Sequence, residues 1–243
     1  MASNSEIGHS KNVTNYETLI LRCTGFGSGY VPSNTDLTIA NLTTQYLDCK
    51  QSVKEVKTTE APFNDVEGQR QLIFKPLKPI STKVLNALKG AKAPTTVIAD
   101  AETLNRKIQG KRADNTPPPA PVGGTPPDQN SVSQQSYDMQ IDHFEKLIEL
   151  ADIEPKYNPN EVPLQITTLQ AYQAQLETIN TTVKNTYIPY KTAMDTRDAK
   201  LYNPETGLVE TSKLVKAYVK SAFGASSPQF KQISGLKFTI IKS

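Results

Sequence analysis

The sequence predicts an all-α protein built as two tandem three- or four-helix bundles, residues 1–113 and 137–243, separated by a linker over 114–136. Three observations predict it. Apolar residues recur at alternating spacings of three and four, the mark of helices with one buried stripe. The second half of the chain repeats the first. Between the halves lies a stretch rich in Pro, Gly, Gln and Ser that no helix continues through.

The repeat is visible by simple offset. Val13, Tyr16, Leu19 and Ile20 match Ile141, Phe144, Leu147 and Ile148 at a shift of 128. At a shift of 127, Tyr30, Pro32, Leu37, Ile39, Leu42, Val56, Lys57, Thr59, Pro62 and Arg70 meet identical residues, ending with Pro189 and Arg197. Ten identities over residues 30–70 exceed the roughly two or three that chance would give.

Taken in order, each copy begins with a short helix whose apolar stripe is Val13, Tyr16, Leu19, Ile20 and Cys23 in the first and Ile141, Phe144, Leu147, Ile148 and Ala151 in the second. A long helix follows. Its narrow seam runs through Ile39, Leu42, Tyr46, Cys49, Val53, Val56 and Phe63, and then through Ile166, Leu169, Leu176, Val183, Tyr187, Tyr190, Met194 and Leu201. Asn34 with Asp36, and Asn160 with Glu161, are placed to cap or charge its first turn. Pro62 and Pro189 fall at equivalent points and predict a bend in both copies. A third helix carries Ile80, Val84, Leu85 and Leu88, or Val209, Leu214, Val215, Tyr218 and Val219, and a shorter fourth segment ends each copy. Gly- and Pro-bearing stretches at 25–29, 75–79, 202–207 and 224–228 punctuate the helices. Residues 236–241 are rich in β-branched types, which predicts a short strand or an extended docking arm.

Composition narrows the function. Hydrophobic residues make up 37% of the 243, with no Trp and three Met, so each helix has one thin stripe to bury. A net charge of +3 is too small for a general polyanion-binding surface, although residues 1–113 alone carry +5. No apolar run is long enough to cross a bilayer and the opening residues lack a signal-peptide pattern, so the expected location is the cytoplasm, with export by a signal-less route left open.

No catalytic, cofactor-binding or metal-ligating residue stands out. His9 and His143 do not correspond in the repeat and have no ligand partner at helical spacing, so both read as ordinary polar helix residues. Cys23 and Cys49 are replaced by Ala151 and Leu176 in the second copy and read as small buried hydrophobes rather than a disulfide or a reactive thiol. The glycines at 25, 27 and 29 superficially suggest a phosphate loop, but they follow a helix rather than a strand and have no counterpart, so they read as helix termination. The densest charge run, Arg106, Lys107, Lys111 and Arg112, has no interleaved aromatic residue and reads first as a solvated helix end. Together with Phe238, Ile240 and Ile241 of the terminal arm, it forms the candidate interaction surface.

The opening residues 4–13, the segments 105–112 and 133–137 and the ending 223–235 resemble an uncharacterised duplicated helical protein family of Bacteroidota. The resemblance spans the chain and implies a duplicated architecture and a bacterial origin, and it brings no activity or site residue with it. The expected function is therefore a non-enzymatic structural or scaffolding protein that self-associates through its bundles into a homo-oligomer, as a ring or a filament. A membrane-active, pore-forming-like helical protein and a weak nucleic-acid-associated protein are the alternatives. No cofactor or small-molecule substrate is evident.

Overall fold

The computed structural model describes residues 4–111 and 135–241, with side chains from residue 8 onward, and it is all-α over those residues. The linker expected over 114–136 falls outside them except for its last two residues. In chain order the helices are α1 (Asn4–Gly25), α2 (Ile39–Phe74), α3 (Leu77–Gly90), α4 (Thr95–Gln109), α5 (Tyr137–Asp152), α6 (Ile166–Tyr202), α7 (Leu208–Phe223) and α8 (Pro228–Ser234). Single 3-10 turns at Thr35–Leu37 and Val162–Leu164 lead into the two long helices.

Local signals explain most of the boundaries. The Asn34 side chain accepts from the Asp36 N–H at 3.0 Å, while the matching turn after Glu161 has no side-chain cap and relies on Pro163 instead. Ser136 and Ser227 cap α5 and α8 by accepting from Met139 and Phe230. At Gly110 the chain turns left-handed (φ +74) to close α4, a conformation that costs glycine little. Gly207 is required for another reason: a Cβ there would lie 2.5 Å from the Asn203 backbone nitrogen. Both long helices run unbroken through Pro62 and Pro189.

The compact units are not the two halves of the chain, which corrects the expected boundaries of 1–113 and 137–243. One unit comprises Met1–Phe63 with Thr186–Ser243, and the other comprises Asn64–Asn185. The first holds α1, the front of α2, the rear of α6, α7 and α8. The second holds the rear of α2, α3, α4, α5 and the front of α6. Accordingly α1 packs against α7 and α8, and α5 packs against α3 and α4.

Each unit has its own core, and each core draws on both halves. In the first, Tyr16, Leu19, Cys23 and Leu42 meet Leu201, Leu208, Val215 and Val219. In the second, Leu77, Val84, Leu88 and Ile108 meet Phe144, Leu147, Leu169 and Leu176. The middles of the long helices contain no fully buried residue over 57–73 and 184–192. This is where the expected seam fails: Tyr187 is 44% exposed, and Leu214 of α7 also faces solvent at 42%. The physical reason is that α2 and α6 each serve one core at one end and the other core at the other end, so a single continuous stripe is not needed.

Candidate functional site

The predicted basic cluster lies at the carboxyl end of α4, where cations complement exposed carbonyls. Arg106 and Lys107 are half-buried and Lys111 is exposed; Arg112 lies outside the described residues. The Lys107 carbonyl accepts from the Gln135 side-chain amide at 2.6 Å. The Lys107 charge also bears on His143, a buried residue of α5 whose pKa is held below 6.5, first by burial and then by that lysine. Lys107 therefore belongs partly to the interior of its own unit.

The terminal arm forms no strand, which corrects the strand expectation for 236–241; it lies extended along α1. Its backbone is held by side chains instead of a ladder. Asn12 donates to the Thr239 carbonyl at 2.7 Å and accepts from the Thr239 N–H at 3.0 Å. Asn15 donates to the Lys237 carbonyl at 2.7 Å, and Lys216 of α7 donates to the Leu236 carbonyl. Phe238 sits edge-on to Tyr16 and beneath the Lys216 ammonium, which burial shifts to a lower pKa. Ile241 packs so closely on Gly8 that a Cβ there would lie 2.9 Å from it. Of the three predicted arm residues, only Ile240 is largely exposed, at 57%.

Beneath the arm lies a polar cluster that sequence reasoning missed. The Tyr202 hydroxyl accepts from Asn12 at 3.3 Å and shares a hydrogen bond of 2.6 Å with His9 Nδ1. Arg197, the largest fully buried side chain among the described residues, grips Asp198 through two nitrogens at 2.8 Å. The equivalent arginine in the other unit, Arg70, stacks 4.0 Å above the Tyr137 ring, donates to Asn180 and pairs with Glu67. Asn180 in turn donates to Asp138, which also takes Lys184. The available signal was the identity of Arg70 and Arg197 across the repeat. The histidines gave none, because their partners are distant in sequence.

The first unit also bears a shallow groove of about 320 Å³ between Ser52, Glu55 and Thr59 of α2 and Ile188, Pro189 and Thr192 of α6. One turn beyond Thr59, Phe63 stacks on Tyr190 and touches Tyr187. Among the described residues no group of His, Cys, Asp and Glu is arranged to hold a metal ion. Both cysteines are buried, with thiols pushed up to about 12 chiefly by desolvation. No helix among the described residues is long and apolar enough to cross a membrane. No protein-family model, curated protein or solved structure matches the chain.

Proposed function

We propose that this chain is a non-enzymatic structural protein that self-associates, with a second copy of itself as its partner. The observation that carries the reading is the mutual completion of the halves: each hydrophobic core is built from residues of both, so every copy carries the two members of a binding pair. Several polar side chains of the interior are engaged in the same task. His9, Asn12 and Tyr202 pin the terminal arm, and Arg70 with Asn180 ties α2 to α6. A pair of like halves on one chain closes into a ring or runs on as a filament, depending on the rotation between successive copies.

A doubled gene accounts for the pairing. Supporting it, Tyr30 donates to the Leu37 carbonyl and Tyr157 donates to the Leu164 carbonyl, both at 2.8 Å and 127 residues apart. Phe63 and Tyr190, also 127 apart, stack on each other with centroids 5.5 Å apart. Equivalent residues meeting face to face are what a two-fold pairing of identical halves produces. On this reading the ancestor was a homodimer of the half-chain, and 114–136 is the spacer that joined its subunits. Size exclusion with light scattering tests the function. The expected result is a mass, in multiples of 26.7 kDa, that rises with the concentration at which the chain is folded; a monodisperse monomer after folding at the highest attainable concentration refutes it.

A further inference from the structure

We infer that self-association, the reading just proposed, runs through exchange of halves: residues 135–241 of one copy dock onto residues 4–111 of another and rebuild the same two cores across chains. Three observations lead there. First, beside the packing of α3 on α4 and of α7 on α8 within a half, each unit is held together by contacts between halves. Helix α1 is covered by α7 and α8, and α5 by α3 and α4. The bonds follow suit: Gln45 donates to the Thr206 carbonyl at 2.8 Å, Tyr218 accepts from the Val31 N–H at 3.0 Å, and Tyr172 donates to the Ile73 carbonyl at 2.7 Å. None of these requires the two halves to share a chain.

Second, each half leaves its share of both cores packed against the other half. Removing the second half from the first core strips Tyr16, Leu19 and Cys23 of Leu201, Leu208, Val215 and Val219. A half separated from its partner therefore exposes an apolar face and is committed to finding another second half. Third, the covalent link is longer than closure within one chain requires. Its flanks already touch, since Gln135 bonds the Lys107 carbonyl at 2.6 Å. The intervening residues 112–134, fully extended, would reach about 75 Å.

The exchanged and unexchanged forms thus share the same cores, and concentration selects between them. A covalent tether holds two docking halves at an effective concentration on the order of a millimolar, less as the tether lengthens. Chains folding together near that concentration pair with neighbours as readily as with themselves. Undoing a formed pair means opening both cores, so the form adopted on folding persists.

The test uses the full chain with a protease site inserted between Val122 and Gly123, refolded from urea at micromolar and at near-millimolar concentration, then sized by native mass spectrometry before and after cleavage. The expected result is multimers from the concentrated sample only, collapsing on cleavage to particles holding one copy of each fragment. When isotope-labelled and unlabelled chains are refolded together, about half of those particles should combine a labelled with an unlabelled fragment. Multimers that keep their mass after complete cleavage would overturn the exchange while leaving self-association standing. A monomer under every condition would overturn self-association itself.

Discussion

Replacing Phe144 with Ala asks which residues share a fate. The ring is fully buried in α5 and meets Tyr172 of α6 at a centroid distance of 5.7 Å in an edge-on arrangement. Truncating a buried Phe costs about 3–5 kcal/mol, the edge-on pair included. For a unit of this size that lowers the melting temperature by about 10–20 °C. The informative readout is hydrogen exchange resolved by peptide. Because Phe144 sits in a core with Leu77, Val84, Leu88 and Ile108, protection should fall over α3 and α4, in the opposite half of the sequence, as much as over α5. Helices α7 and α8 share the second half of the sequence with Phe144 but belong to the other unit, and they should keep most of their protection. Loss over 137–241 with α3 and α4 untouched would refute the division into units and restore the tandem arrangement.

Other perturbations follow from the polar interior. His143 has a folded pKa below its unfolded value near 6.5, so the unfolded state takes up the proton first and stability falls as pH drops through that value. The loss between pH 7.5 and 5.5 should be removed by His143→Gln and reduced by Lys107→Ala; urea titrations at the two pH values measure it, and an unchanged loss in His143→Gln contradicts the assignment. Asp198→Ala takes a carboxylate from the buried Arg197 and should cost about 2–4 kcal/mol, somewhat under a fully buried pair because Asp198 is partly exposed. Adding Arg197→Met should recover at least half of that loss in a double-mutant cycle, and a further loss would count against the ion pair as its cause. Cys23 and Cys49 should resist thiol reagents at pH 8 and react together on unfolding, since burial suppresses the thiolate; labelling of the native protein would contradict their placement.

The apolar faces were legible in the sequence, whereas the choice of partner for each face was not. Val13, Tyr16, Leu19, Ile20 and Cys23 are all buried as their spacing demands, and so are their five counterparts on α5. That spacing says which side of α1 turns inward; it reads the same whether α3 or α7 lies against it. The assignment to units rests on contacts between residues far apart in sequence, such as Asn12 with Thr239, and periodicity carries no information about those. Tyr187 shows the same limit: its position extends the heptad seam of α6, yet it falls in the stretch where that helix passes from one core to the other. The β-branched residues of the arm suit a short strand or an extended docking arm alike; the extended form is found, because its hydrogen-bonding partners are the side chains of Asn12 and Asn15, and side chains build no sheet. His9 and His143 read only as ordinary polar helix residues, and their burial is not legible because a helix position alone does not show what covers it.

The most direct measurement is to express residues 1–113 and 135–243 as two separately tagged chains, singly and together. Together they should co-purify as a one-to-one complex with cooperative melting and the helicity of the intact protein, while each alone shows little helix and no cooperative transition. If either half alone folds cooperatively and declines to bind the other, the interdigitated cores are wrong.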